Sequence, residues 1–210
     1  NLIFQTLKTN PEYQNARRIS VYLSMPSGEV QTDRIVRDAL SCGKQVFVPH
    51  ISKASKTSPN SPLSTMEMVK LFSISDYESL EKDSWGIPST DPKTIDQREK
   101  ILHPIQGQNN GLDLVLLPGV AFQMDPATKL IKRLGHGKGF YDHFLQQYRS
   151  KFQSENEMTS REGVGLYGLA LKEQYLSEDG KMSVPIDEHD CLLNGLIIGD
   201  GRFLKAHEIE

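Results

Sequence analysis

The first fifty residues alternate between the apolar runs of buried strands and the one-sided spacing of a helix. Residues 18–25 (RISVYLSM) are mostly β-branched, aromatic or apolar, which favours a buried strand. Residues 32–42 place their apolar side chains on one helical face, and Gly43 closes that helix. A second strand is predicted at 45–48, where Pro49 stops it. This order predicts a βαβ unit with parallel strands and a right-handed crossover.

The rest of the chain repeats these two patterns. An amphipathic helix is predicted at 139–152, where apolar side chains recur on one face. Residues 52–64 are rich in Lys, Ser, Thr and Pro, which indicates a solvated loop, and residues 83–92 have turn chemistry around Trp85. Apolar runs typical of strands occur at residues 66–72, 113–117, 164–171 and 192–198. The alternation predicts an α/β fold whose sheet is covered on both faces.

Length and composition are those of a globular protein. With 210 residues and 37% hydrophobic content, the chain can bury a large core, which excludes disulfide miniproteins and disordered tails. Its 24 Lys and Arg residues against 27 Asp and Glu residues give a net charge of −3, which argues against nucleic acid as a partner. The two cysteines, Cys42 and Cys191, lack metal-ligand spacing, and we expect a reducing compartment.

Two features bear on location. No apolar stretch approaches the ~20 residues of a membrane helix, and no cleavable leader is visible, so we expect a soluble intracellular protein without a membrane partner. The chain opens at Asn1 rather than Met, already inside an apolar pattern. We therefore expect the natural N-terminus to precede Asn1. A targeting leader would lie there, so both the cytoplasm and the mitochondrial matrix are open.

The segment RLGHGKGFYD, residues 133–142, carries the clearest candidate chemistry. Gly135, Gly137 and Gly139 alternate around Lys138, and the predicted helix begins directly behind them. Glycines let a backbone approach a ligand closely, and a helix N-terminus directs N–H groups and partial positive charge at it. The pattern therefore predicts a phosphate site, although a glycine-rich turn with a solvated lysine fits it equally well.

Two familiar phosphate motifs do not match this loop. A Walker A loop needs Ser or Thr after its lysine, and Lys138 is followed by Gly139. A dinucleotide-binding loop needs a third glycine where Phe140 stands, and it directly follows a strand, whereas the nearest predicted strand ends about fifteen residues earlier. A nucleotide here would be bound by another scheme.

Asp142 and Asp190 are candidate magnesium ligands. Asp142 falls in the first turn of the predicted helix, and Asp190 in a polar turn before the last strand. One or two carboxylates commonly hold Mg²⁺ at phosphates. Taken singly, each is better explained as a helix-terminal or surface charge, but together, at the ends of elements that could converge on one sheet edge, they form a plausible pair.

Five segments, in this order, resemble the 5-formyltetrahydrofolate cyclo-ligases, also called methenyltetrahydrofolate synthetases. They are RISVYLSM followed by Glu29, SWGIPSTDP, LDLVLLPGVAF, RLGHGKGFYD, and GLALKEQ preceding VPIDEHD, and the similarity runs from about residue 12 to 198. The resemblance implies a single three-layer α/β/α domain with a mainly parallel central sheet. It also implies ATP- and Mg²⁺-dependent conversion of 5-formyltetrahydrofolate to 5,10-methenyltetrahydrofolate by a monomer, with ADP and phosphate released.

The same resemblance assigns roles to residues of this chain. It implies that Lys138 and His136 act in catalysis and that Asp142 and Asp190 bind the metal. The nucleotide-binding residues it implies are Arg133, Leu134, Gly135, His136, Gly137, Lys138, Gly139, Phe140 and Tyr141. The substrate-binding residues it implies are Leu23, Glu29, Met66, Trp85, His136, Gly137, Lys138, Gly139 and Phe140.

The chain departs from the family pattern in three places. His136 stands where arginine is usual, and Phe140 where tyrosine is frequent. The basic N-terminal helix that reaches the ATP phosphates has no counterpart, which agrees with a segment preceding Asn1. We expect ATP affinity to suffer if the natural protein lacks that segment.

The implied chemistry activates an amide. The formyl oxygen attacks the γ-phosphate, N10 closes the ring, and phosphate departs, so the protein must mainly position groups and neutralise charge. Glu29 would accept hydrogen bonds from the pterin, or else act only as a charge at the N-terminus of the following helix. Trp85 would stack on the pterin, or else serve only in packing.

Two other functions remain open at this point. A non-catalytic folate-binding protein would keep the pterin pocket without turnover, and a phosphosugar isomerase would use the same anion loop. Trp85 and Asp190 favour the folate functions over the sugar function. Lys138 and Asp142 favour an active enzyme over a binding protein.

Overall fold

A computed structural model describes residues 2–53, 64–104, 110–152, 163–177 and 182–206. The helices are α1 (Leu2–Thr9), α2 (Pro11–Asn15), α3 (Asp33–Ser41), α4 (Ile74–Glu78) and α5 (Phe140–Phe152), with 3₁₀ turns at Pro92–Gln97 and Lys172–Gln174. The strands are β1 (Arg18–Val21), β2 (Gln45–Lys53), β3 (Ser64–Lys70), β4 (Glu81–Lys82), β5 (Pro88–Ser89), β6 (Leu114–Leu117), β7 (Ala121–Met124), β8 (Ile131–Leu134), β9 (Gly165–Ala170), β10 (Tyr175–Leu176), β11 (Gly195–Ile198) and β12 (Phe203–Lys205). In the described ranges, no helix has the length and apolar character needed to span a membrane.

Seven strands form the central sheet, in the order β12-β11-β9-β6-β1-β2-β3. The five inner strands run parallel, and an antiparallel strand pairs with each end. The pairing of β1 with β2 across α3 confirms the parallel βαβ unit predicted from the first fifty residues. The α/β fold with a mainly parallel sheet is therefore confirmed.

Side chains of β6 alternate between two buried clusters on opposite faces of the sheet. Leu114 and Leu116 join the cluster to which α1 and α3 contribute, whereas Val115 and Leu117 join the cluster that contains Phe144 of α5. All four β6 side chains are fully buried. A strand covered on both faces needs a continuous apolar run, which explains why the sequence DLVLL predicts a central strand. The three-layer arrangement is confirmed.

Besides β2, three strands differ from the prediction by two or more residues at one or both ends. β1 ends at Val21 rather than at residue 25, because the next carbonyl, that of Tyr22, accepts the Thr32 hydroxyl at 2.7 Å instead of a neighbouring strand. β3 spans Ser64–Lys70 rather than 66–72. β11 begins at Gly195 rather than at residue 192, because Leu193 exchanges backbone hydrogen bonds with Ile131 of β8.

The prediction that Pro49 stops β2 was wrong. The strand runs through Pro49 to Lys53 and pairs antiparallel with β3. Pro49 lies opposite Met68, whose N–H bonds the Glu67 carboxylate and whose carbonyl accepts the Ile101 N–H. At this register position no ladder hydrogen bond to β3 requires a Pro49 N–H. Of the loop predicted at 52–64, the ends belong to β2 and β3, and residues 54–63 lie outside the described ranges.

A second sheet, β10-β7-β8, was not predicted. Its short strands carry polar residues, as in the sequence IKRL of β8, so no apolar run marks them. Because β8 ends at Leu134, a strand does directly precede the glycine loop, and the predicted gap of about fifteen residues was wrong. The loop therefore joins β8 to α5 over residues 135–139.

Candidate functional site

Three loops meet at the carboxyl edge of the parallel strands, where open α/β sheets bind ligands. They follow β1 (residues 22–31), β6 (118–120) and β9 (171–174). The turn of the β4–β5 hairpin packs against the first of them, since a Cβ at Gly86 would lie 2.8 Å from Pro26 Cγ. The glycine loop joins the second, because the Val120 N–H donates to the Leu134 carbonyl at 2.7 Å. These segments frame the candidate site.

The glycine loop has a backbone that only glycine adopts readily. Gly137 and Gly139 have φ angles of +77° and +63°, in the left-handed region that strains other residues. A Cβ built at either position would meet nothing within 4 Å. The Gly139 carbonyl accepts the first hydrogen bond of α5, from the His143 N–H at 2.9 Å, so the helix opens directly onto this open space. That arrangement fits the phosphate site predicted from the sequence.

Lys138 and Trp85 come together across the site. The Lys138 ammonium lies 6.0 Å from the centre of the Trp85 ring, within the range of a cation–π contact. Trp85, the chain's sole tryptophan, is 68% exposed, whereas a tryptophan that served only in packing would be largely buried. The structure thus places an uncovered aromatic ring beside the charge of the glycine loop.

Arg133 and Asp142 form a buried ion pair behind the glycine loop. Arg133 Nη2 lies 2.7 Å from Asp142 Oδ2, and the Arg133 side chain is only 4% exposed. The second carboxylate oxygen of Asp142 accepts the Cys191 N–H at 3.2 Å. Arg133 was predicted to contact the nucleotide, and its position indicates that it holds Asp142 in place. A direct contact with nucleotide stays a prediction.

The predicted metal ligands lie on adjoining segments. Asp190 belongs to a turn in which its Oδ2 accepts the Asp187 N–H at 2.9 Å, and the next residue, Cys191, donates to Asp142. Among the residues that the structure describes, no group of three or more His, Cys, Asp or Glu side chains could hold a metal ion. Two carboxylates nevertheless match the donors that Mg²⁺ takes from a protein when phosphates and water supply the rest. The donor chemistry therefore fits Mg²⁺.

One donor of the Arg133 guanidinium is unsatisfied. Arg133 Nε is buried without a hydrogen-bond partner, the one such side-chain atom found in the described ranges. Burying an unpaired donor costs on the order of 1–3 kcal/mol, and native structures contain few of them. Its presence behind the glycine loop agrees with a site whose polar contacts are completed by a ligand or water.

Glu29 is a buried carboxylate in the loop that follows β1. It is 9% exposed, and its Oε1 accepts the Met25 N–H at 2.5 Å. Burial raises the pKa of Glu29, opposed by that hydrogen bond and by the charge of His136 from the glycine loop. A buried carboxyl group with a raised pKa is a candidate functional group. The structure therefore brings Glu29, His136, Lys138 and Trp85 to one site.

Two predicted substrate contacts lie in the core. Leu23 and Met66 are both buried, and they belong to the clusters on opposite faces of the sheet. Their proposed contact with substrate stays a prediction.

No sequence pattern predicts a role for Gln174. Its side-chain amide bonds the backbone of all three loops at the carboxyl edge of the sheet. The available signal was its place at the end of GLALKEQ, four residues past β9.

The model of the 5-formyltetrahydrofolate cyclo-ligase family matches residues 1–199. The chain belongs to this family. It is 33% identical over 195 residues to a probable 5-formyltetrahydrofolate cyclo-ligase of Caenorhabditis elegans, an alignment that covers 93% of this chain and 79% of the relative. It is also 33% identical over 201 residues to the 5-formyltetrahydrofolate cyclo-ligase of Mus musculus, covering 95% and 81%.

A solved cyclo-ligase relative shares the fold. The structure of Aquifex aeolicus 5,10-methenyltetrahydrofolate synthetase superposes with a TM-score of 0.58 at 19% identity, covering all of this chain and 83% of that one. At that identity the likeness supports the fold alone. It agrees with the three-layer α/β architecture described above.

Proposed function

We propose that this cyclo-ligase family member converts 5-formyltetrahydrofolate to 5,10-methenyltetrahydrofolate in an ATP- and Mg²⁺-dependent reaction that releases ADP and phosphate. One observation carries the proposal: Lys138 of the glycine loop lies 6.0 Å from the exposed Trp85 ring. This proximity supports a site in which Lys138 would bind phosphate and Trp85 would offer an aromatic platform for a pterin. Family membership favours this function over a phosphosugar isomerase.

The glycine loop and α5 would hold the phosphates. Gly137 and Gly139 leave their side-chain positions empty, so the backbone can approach phosphate oxygens. First-turn N–H groups of α5 add partial positive charge, and Lys138 adds a full charge on the exposed side. These groups would neutralise the charge of the phosphates without forming a covalent bond. Phosphoryl transfer requires mainly such positioning and charge neutralisation from a protein.

Asp142 and Asp190 would hold Mg²⁺, which neutralises phosphate charge when bound. Arg133 then acts as a positioning residue, because its ion pair fixes one oxygen of Asp142 while the Cys191 N–H fixes the other.

Glu29 and Trp85 would orient the folate. The Glu29 carboxylate can accept hydrogen bonds from the amino-pyrimidine edge of the pterin, and Trp85 offers a ring face for stacking. Bound Mg-ATP supplies the phosphoryl group that turns the formyl oxygen into a leaving group. The chain's own contribution is to hold the formyl oxygen near phosphorus and N10 near the formyl carbon. Such alignment of reacting groups can be worth ~7–11 kcal/mol.

The decisive experiment mixes the protein with 5-formyltetrahydrofolate and Mg-ATP and follows the near-ultraviolet absorbance of the methenyl product. We expect product only when ATP and Mg²⁺ are both present, and less of it with Lys138→Ala. Retained folate binding without product would favour the non-catalytic folate-binding alternative. Turnover without ATP would contradict the proposed chemistry.

A further inference from the structure

Gln174 bonds three separate loops through one side-chain amide. Its Nε2 donates to the Gly119 carbonyl at 2.9 Å and to the Gly28 carbonyl at 3.1 Å, while its Oε1 accepts the Leu171 N–H at 2.8 Å. Both amide protons and the amide oxygen are used. The three partners belong to the loops after β6, β1 and β9, so the side chain spans the carboxyl edge of the sheet.

Each carbonyl that accepts a hydrogen bond from Gln174 directly precedes a residue that belongs to, or anchors, one half of the candidate site. Gly28 precedes Glu29, the carboxylate that would face the pterin. Gly119 precedes Val120, whose N–H bonds the carbonyl of Leu134, the residue before the glycine loop. The amide therefore links the backbone that carries Glu29 to the backbone that anchors the phosphate loop.

We propose that Gln174 is a positioning residue that sets the distance between the folate-binding and phosphate-binding halves of the site. The inference rests on the proposed function for its catalytic consequence, while the linkage itself is structural. An aligned reaction between two bound substrates is sensitive to shifts of about 1 Å, which can cost on the order of 100-fold in rate. Loss of the linkage should therefore lower kcat more than it raises either KM.

The test compares two variants with a neighbouring control. Gln174→Met keeps the side-chain length and removes all three hydrogen bonds, whereas Gln174→Glu keeps an acceptor for Leu171 and removes both donors. Glu173→Gln changes an exposed side chain on the same 3₁₀ turn and should behave as wild type. Should Gln174→Met fail to fold, Gln174→Asn replaces it, because its shorter amide cannot reach both loops.

Hydrogen exchange of the ligand-free protein supplies a readout that does not depend on activity. We expect amides in residues 24–31 and 118–122 to exchange roughly 5- to 150-fold faster in both Gln174 variants, with the urea midpoint lowered by no more than the same free energy. Steady-state kinetics should show kcat reduced about 10- to 100-fold and each KM changed far less.

Two results would overturn the inference. One is wild-type exchange in both loops, and the other is a kcat that falls only in proportion to lost folded protein. If the wild-type chain makes no methenyl product, the proposed function fails, and the exchange measurement still decides the structural role of Gln174.

Discussion

Two carboxylates assigned to the candidate site, Glu29 and Asp142, lie in contrasting surroundings. In the phosphate region, residues 133–142 with Asp190, Asp142 pairs with the buried Arg133 at 2.7 Å and accepts the Cys191 N–H. In the pterin region, residues 22–31 with Trp85, the Glu29 carboxylate accepts the Met25 N–H, and burial raises its pKa.

This difference indicates how each region is prepared for its ligand. The charge of Asp142 is compensated within the protein, so its orientation would already be fixed when the proposed metal binds. The charge of Glu29 is only partly compensated, and we expect the amino-pyrimidine edge of the folate to complete it. Substitutions should therefore affect folding mainly in the phosphate region behind the loop, and folate binding mainly in the pterin region.

The largest effect is expected for Arg133→Met. Removing one partner of a buried ion pair leaves Asp142 uncompensated, which should lower the free energy of unfolding by about 3–5 kcal/mol in urea titrations. The double variant Arg133→Met with Asp142→Asn removes the stranded charge and should recover much of that loss. A single-variant loss below about 1 kcal/mol would show that the pair is as weak as a surface salt bridge.

Lys138→Ala should weaken nucleotide binding without affecting folding. A charge-assisted contact to phosphate is worth about 1.5–3 kcal/mol, or roughly 10- to 100-fold in affinity for Mg-ATP by calorimetry. Lys138 is exposed, so the urea midpoint should not change. Lys93→Ala, which removes an exposed lysine on the 3₁₀ turn at Pro92–Gln97, is the control. An equal loss of folate affinity in Lys138→Ala, or a nucleotide affinity equal to that of wild type, would contradict the assignment of Lys138 to the phosphate region.

Gly137→Ala should lower stability by about 1–2 kcal/mol, because its φ of +77° strains any residue with a Cβ. No steric clash adds to this cost, since the Cβ position is empty. His136→Ala, at the neighbouring exposed position, should leave the melting temperature unchanged. A Gly137→Ala protein as stable as wild type would mean that the loop adopts another conformation in solution.

The smallest effect on stability is expected for Glu29→Gln, and this substitution should raise stability rather than lower it. The pKa of Glu29 is raised above its ordinary 4.5, which means that folding disfavours the ionised carboxylate. This lowers the free energy of unfolding at pH values above the folded-state pKa. The loss disappears once the pH falls below 4.5, because the carboxyl group is then protonated in both states. The glutamine keeps an acceptor for Met25, so the variant should be slightly more stable at pH 7, with the gain vanishing near pH 4.

The same Glu29→Gln variant should raise the KM for 5-formyltetrahydrofolate and leave that for ATP unchanged. Glu173→Gln, an exposed neighbour of Gln174, is the matched charge control. A stability loss at pH 7, or a parallel rise in the ATP KM, would contradict the assignment of Glu29 to the pterin region.

Much of the fold could be predicted because its main elements bury regular faces. β6 and α5 were recognisable since one is apolar throughout and the other is apolar on one side. β8 was missed because it carries charged residues, and the partner of its buried Arg133 is Asp142, nine residues ahead and in another element. The course of β2 through Pro49 depended on a register with β3 that no local pattern contains.

The candidate site likewise has features that local sequence predicts and features that it does not. The conformation of the glycine loop could be predicted, because positive φ demands glycine at particular positions, while its binding of phosphate through Lys138 stays a prediction. The roles of Arg133 and Gln174 could not, because each acts through partners that are distant in sequence or lie in the backbone of other loops.

The proposed function requires that the glycine loop bind the nucleotide phosphates beside Trp85. Since Trp85 is the sole tryptophan and lies 6.0 Å from Lys138, its fluorescence reports directly on this contact. We predict a saturable fluorescence change on titration with a non-hydrolysable Mg-ATP analogue, shifted to roughly 10- to 100-fold higher concentration in Lys138→Ala. Unchanged Trp85 fluorescence under conditions where calorimetry shows the analogue to be bound would contradict the account.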